Sequence, residues 1–171
     1  MNIGYIALAL CVAVAAAALL VFRPSYAHAA TPDLTQNQAR AIVAPLYDAL
    51  NEPATKDIAA LLAQTTGADF LSCATEDECV GRDAVVARFT NLGKVVPDLR
   101  WTIRQIWVSG DEIIVRGEAT GTPVQPFLGA QPTGKSFKTM SIDVHTVKGG
   151  KIVRTYHLEN WTVAIRQLSG N

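Results

Sequence analysis

Ser141–Trp161 reads SIDVHTVKGGKIVRTYHLENW, and the spacing of its apolar residues decides the fold. Ile142 and Val144, then Ile152, Tyr156 and Leu158, alternate with other residues, so the stretch reads as two strands joined through Lys148-Gly149-Gly150-Lys151. With Lys148-Gly149-Gly150 as a type I turn plus G1 bulge, Gly150 being left-handed, Val147 and Lys151 close the hairpin. This register pairs Asp143 with Thr155 and His145 with Val153, and it puts Ser141, Asp143, His145, Val153, Thr155 and His157 on one face. His157 then lies diagonal to Asp143 at a Cβ separation of roughly 7–8 Å, which side chains or one water can bridge. Such a pair is often only a satisfied polar contact, yet its chemistry also suits proton transfer: a histidine titrates near neutrality and an aspartate can orient it.

Working outward, the preceding chain divides into helices and then strands. Thr35 followed by Gln38 fits a capping box, and Ala39, Ile42, Val43, Leu46, Tyr47 and Leu50 recur at helical spacing. This predicts a helix of about four turns, kinked at Pro45 and ending near Asn51–Pro53. A short second helix is expected over Thr55–Gln64 and a third over Ala84–Val95, stopped by Pro97. Between them, Thr65–Gly81 reads as an irregular segment over a cavity mouth, with a short strand at Asp69–Ser72 and a solvated Glu76-Asp77-Glu78 run.

From Leu99 the period becomes two. Leu99–Val108 and Glu112–Thr122 read as long strands turned at Ser109-Gly110-Asp111. Large side chains on both faces imply helices on one side and a partner subunit on the other. Thr122–Lys135 is rich in proline and glycine, so it is a loop, and its Phe127-Leu128 reads as a flap packed over something. Val163–Leu168 supplies a terminal helix, and Asn160-Trp161-Thr162 is formally a glycosylation sequon. Helices followed by antiparallel strands indicate α+β, with helices on one side of a curved sheet.

A chain of 171 residues with 49% hydrophobic content is about one domain and buries a core without staples. Its 15 basic and 15 acidic side chains balance, so no overall field draws it to nucleic acid. Ile3–Phe22 is almost wholly apolar and Ala27-His28-Ala29 has the small-x-small form of a signal-peptidase site. Residues 1–29 therefore read as a signal peptide, 30–34 as a linker and 35–171 as the domain, which would be periplasmic or secreted. Left uncleaved, the apolar run is long enough to tether the domain to a membrane. Cys73 and Cys79 are expected to form a local disulfide in an oxidising compartment, and to be free thiols in the cytoplasm.

The order of elements and several phrases resemble the SnoaL-like polyketide cyclase family of the nuclear transport factor 2-like fold. The phrases are Ala44–Asn51 (APLYDALN), Gly81–Phe89 (GRDAVVARF), Pro97–Leu99 (PDL), Phe127–Lys135 (FLGAQPTGK), Ile142–Val144 (IDV), Gly150–Val153 (GKIV) and Arg166-Gln167-Leu168. The resemblance implies a cone-shaped α+β barrel whose curved antiparallel sheet and N-terminal helices enclose an apolar pocket, commonly in a dimer formed through sheet faces. It also implies proton transfer by an aspartate and a histidine without metal or organic cofactor. Here the two residue types are exchanged: His157 stands in the aspartate's place and Asp143 in the histidine's.

These readings make His157 and Asp143 the candidate catalytic pair and a small apolar molecule the expected partner. Tyr47, Phe89, Trp101, His145, Phe127 and Tyr156 are the candidate pocket wall, although the strand parity of Tyr156 points away from His157. Asp143, His145 and His157 are residue types that bind metal, but the register above sets the two imidazoles roughly 13 Å apart, so no metal is expected. A non-catalytic ligand-binding or protein-interaction module of the same fold is the competing function.

Overall fold

The computed structural model describes residues 34–170; the signal segment and most of the linker lie outside the described residues. Helix α1 (Gln36–Asp48) opens on the expected capping box, with Thr35 accepting from the Gln38 amide and the Gln38 side chain accepting from the Thr35 amide. It runs through Pro45, buries Ala39, Val43, Leu46 and Tyr47, and ends at Asp48, before a 3-10 turn at Pro53–Thr55. Helix α2 (Ile58–Thr65) is capped by Asp57, and α3 (Arg82–Val95) begins after Gly81 with Asp83 in its first turn. The acid there complements the partial positive charge of a helix N-terminus. Helix α4 is Trp161–Ser169, and no helix among the described residues is long and apolar enough to cross a membrane.

Six strands make one sheet: β1 (Thr66–Cys73), β2 (Cys79–Gly81), β3 (Arg100–Ser109), β4 (Glu112–Gly121), β5 (Phe137–Lys148) and β6 (Lys151–Glu159), in spatial order β2-β1-β6-β5-β4-β3. The fold is the expected α+β with a curved sheet, but the sheet is not closed, because β2 and β3 remain as edges. The antiparallel run is β3 to β6; β1 adds to β6 in parallel, and β2 pairs with β1. The segment read as irregular is thus largely strand. Its alternation is weak, and pairing with β6 rather than local pattern makes it a strand.

Burial along β4 and β5 alternates strictly, with Ile113, Val115, Ala119, Phe137 and Val147 facing the helices. Together with Val43, Leu62, Ile106 and Ile152 they form a core in which each large side chain is worth about 1.5–3 kcal/mol of burial. The outer sheet face carries exposed apolar side chains beside charged ones: Leu158 is 73% exposed, Met140 49% and Trp107 45%, and Glu118, opposite Met140, pairs with Arg104 and Lys138.

The hairpin register differs from expectation by two residues. Lys148 pairs with Lys151 and both Gly149 (φ 57°) and Gly150 (φ 75°) are left-handed, as a two-residue type I′ turn requires. The extra residue is Val153, a bulge inside β6: Val147 pairs with Ile152, but Thr146 pairs with Arg154. The bulge lets Ile152 and Thr155, three positions apart, both be buried. Asp143 consequently sits directly opposite His157, and His145 opposite Thr155.

Cys73 and Cys79 are a cross-strand pair joined by a disulfide. Closing so short a loop restricts the unfolded chain by about 2 kcal/mol. The double substitution Cys73→Ser/Cys79→Ser is expected to lower unfolding free energy by that amount in urea titrations. An unchanged midpoint would mean the link adds nothing to stability.

Candidate functional site

The inner face of the β5–β6 hairpin carries a directed chain of hydrogen bonds. His157 Nδ1 lies 2.7 Å from Asp143 Oδ1, and Tyr47 Oη donates to Asp143 Oδ2 at 2.8 Å. His145 Nε2 lies 3.1 Å from Tyr47 Oη, and His145 Nδ1 lies 2.8 Å from Thr155 Oγ1. The proton positions follow. Tyr47 has one hydroxyl proton, given to Asp143, so it accepts from His145 Nε2–H. His145 Nδ1 then accepts from the Thr155 hydroxyl. Asp143 receives two bonds and is the carboxylate on which the chain converges.

The local fields agree with this assignment. Burial disfavours the charged form of Asp143, but the bonds and charge from His157, with the Tyr47 hydroxyl, hold its carboxyl below the ordinary value. Burial also works against a charged His157; the hydrogen bond to Asp143 and the neighbouring Asp143 and Glu159 carboxyls outweigh it and raise its pKa from 6.5 to about 9. For His145 burial dominates and lowers the pKa, so the ring is neutral. Burial and the neighbouring Asp143 push the Tyr47 phenol well above 10.0. At neutral pH the hairpin therefore holds a His157 imidazolium against an Asp143 carboxylate, braced by a neutral tyrosine and histidine.

This pair opens onto a cavity of about 180 Å³. Its apolar lining comes from Leu46, Leu50, Phe70, Val85, Phe89, Leu92, Trp101 and Trp161; its polar lining is Ser72, Tyr47, Asp143, Thr155, His157 and the exposed Arg88. Trp101 packs against His157 with ring centroids 5.7 Å apart, within reach of a cation–π attraction, and donates to Ser141 Oγ at 3.1 Å. Gly117 makes room for that indole: a Cβ there would lie 2.7 Å from Trp101 Nε1.

The structure brings together His157, Asp143, Tyr47, Phe89 and Trp101 at one cavity. Three residues of the expected wall lie elsewhere. His145 is fully buried behind Tyr47, which stands between it and Asp143. Tyr156 is on the opposite sheet face, where its hydroxyl donates to Glu76 Oε2, as strand parity demands. Phe127 stacks on Phe137 and meets the edge of Trp161, each at 5.6 Å, so the flap covers Trp161 rather than the cavity. The expected separation of the imidazoles is corrected too, because His145 pairs with Thr155 only two residues from His157. Both His145 nitrogens are nonetheless engaged by Tyr47 and Thr155.

Sequence reasoning missed Glu159, Trp161 and Arg88. Glu159 was within reach, since it follows His157 by two on one strand and so shares its face. Trp161 and Arg88 carried no local signal, because their place at the cavity depends on how α4 and α3 pack.

A curved sheet over helices, enclosing an apolar cavity with a few convergent polar groups, defines a small-molecule pocket of the nuclear transport factor 2-like kind. The SnoaL-like polyketide cyclase family model matches residues 41–168, and the chain belongs to that family. Its fold is similar to that of a SnoaL-like polyketide cyclase from Jannaschia sp. CCS1, at 21% identity and TM-score 0.68, covering 79% of this chain and 94% of that one. TsrD from Streptomyces laurentii is similar at 22% identity and TM-score 0.70, with 81% and 99% covered. IdmH, described as a polyketide cyclase of Streptomyces antibioticus, is similar at 24% identity and TM-score 0.66, with 77% and 98% covered. At these identities the likeness establishes the fold. No curated protein matches the sequence.

Proposed function

We propose that this chain is an exported small-molecule domain performing acid–base chemistry, of cyclase, isomerase, dehydratase or hydrolase type, on a largely apolar compound without metal or organic cofactor. The observation that carries the reading is the Asp143–His157 pair, bonded at 2.7 Å and set in the wall of an apolar cavity. Holding His157 charged makes it the proton donor of the resting site, with Asp143 orienting the ring. The disulfide supports an oxidising compartment, and the exposed apolar side chains Trp107, Met140 and Leu158 of the outer face support a homodimer through the sheets.

The same charged donor favours a second reading, in which the pocket holds an acceptor-bearing ligand and converts nothing. Native and denaturing mass spectrometry of protein recovered from the exported fraction tests both. The expected result is a cleaved, disulfide-bonded dimer carrying a small organic molecule. That molecule is then offered to wild type and to His157→Ala. Turnover by wild type and loss of at least a hundredfold in the variant is the enzyme's result; binding without turnover in wild type establishes the module, and an empty, uncleaved monomer sinks both readings.

A further inference from the structure

Glu159 is left unexplained by the Asp143–His157 pair. Its side chain is wholly buried, it pairs with Ser141 on the inner face, and neither of its carboxyl oxygens has a hydrogen-bond partner among the described residues. Ser141 accepts from Trp101 Nε1 and makes no hydrogen bond to Glu159. A buried carboxylate without partners is strongly disfavoured, so such a group either keeps its proton or faces a cation. One titratable group stands close: His157 Nε2, 3.6 Å from Glu159 Oε2.

That distance exceeds a hydrogen bond, and among the described residues the hydrogen bond of the His157 ring is made by Nδ1, so Nε2 and the Glu159 carboxyl face each other unbonded. We propose that Glu159 is the positioning residue of this site: it flanks the Nε2 side of the imidazole as Asp143 flanks the Nδ1 side, favours the charged ring once it has itself ionised, and holds the proton that replaces one given to a ligand. The balance is simple. When the Nε2–H bond breaks and the ligand takes the proton, the Glu159 O–H bond breaks and a new Nε2–H bond forms. The site is left with glutamate beside imidazolium, which then regains a proton from solvent. Burial, the largest influence on Glu159, raises its pKa, the direction that favours a carboxyl keeping its proton.

The refilling role rests on the function proposed above, whereas the charge-setting role does not, and this separates the tests. His157 also faces Tyr47 from α1, His145 and Asp143 from β5, and Arg88 from α3 at the cavity, so the probe must change Glu159 alone. Glu159→Gln keeps the shape and cannot ionise. Titrating the imidazole nitrogens by NMR in the ligand-free protein, we expect the His157 midpoint to fall by about one pH unit or more in this variant. Glu159→Asp is expected to restore part of the shift. An unmoved midpoint in a folded Glu159→Gln protein overturns the proposal. If that variant does not fold, the carboxyl carbon of Glu159 is followed in the wild type. A titration displaced upward and stepping together with His157 supports the assignment; an ordinary glutamate titration independent of His157 overturns it. Because neither reading uses a ligand, the absence of any turnover would leave them standing.

Discussion

Asp143→Asn is expected to destabilise the domain by about 3 kcal/mol, the lower end for breaking a buried ion pair because the His157 side chain is 32% exposed. The reason is geometric. Asp143 accepts from the Tyr47 hydroxyl on one oxygen and from His157 on the other. An asparagine presents one acceptor and one donor group to these two donors, so one of them is left facing an N–H. The imidazolium also loses its counter-ion, and the His157 pKa should fall back toward its ordinary value. In a domain of this size the deficit corresponds to a thermal midpoint lower by roughly 10 °C. Urea titration at pH 7 reads it directly, and a variant as stable as wild type would show that the pair adds nothing to stability.

The second large effect is on the pH dependence of stability. The His157 pKa is raised in the folded state, so its contribution is complete below 6.5 and disappears as pH rises through about 9. At 1.36 kcal/mol per pH unit the full rise is worth about 3 kcal/mol, reduced to about 2 kcal/mol for a ring partly open to solvent. Glu159, also raised, acts in the same direction as pH increases. His145 is lowered, so its contribution is present above 6.5 and is lost on acidification, and that of Asp143 is lost below 3.8. Stability should therefore peak near pH ~6, with an alkaline decline between 6.5 and 9 that His157→Gln largely abolishes. Denaturation midpoints at three pH values for both proteins settle it: a wild type with no alkaline decline would mean that His157 is not held charged.

Much of the fold was legible because helical and strand periods leave marks that Thr35–Leu50 and Leu99–Leu158 display openly. The register was not. Lys148-Gly149-Gly150-Lys151 is compatible with a two-residue and a three-residue loop, and the bulge at Val153 has no sequence signature. Since the two differences together shift the pairing by two, the polar face survived while its partners changed. Asp69–Ser72 marked part of β1, but the strand's full extent and its parallel pairing were hidden because its partner, β6, lies some eighty residues away in the chain. At the site, the presence of Asp143 and His157 on one face was readable from parity, whereas the Tyr47 bond to Asp143 spans a separation of 96 residues and belongs to tertiary packing. Glu159 did carry a signal, since strand parity puts it on the face of His157 two residues before it.

Of the bonded polar groups of the cavity wall, Asp143, Thr155 and His157 lie on one hairpin and Tyr47 on α1, whereas the apolar lining is assembled from α1, β1, α3, β3 and α4. Shape and the buried proton network are thereby written largely in separate stretches of the chain. Exchanges at Val85, Phe89 or Leu92 can reshape the hollow without displacing a proton, because they share no hydrogen bond with the hairpin. Tyr47 and Trp101 tie the two together: the tyrosine lines the hollow and clamps the carboxylate, and the tryptophan lines it and bonds Ser141. A lineage built this way is free to reshape its hollow while keeping its polar pair, provided those two residues are left alone.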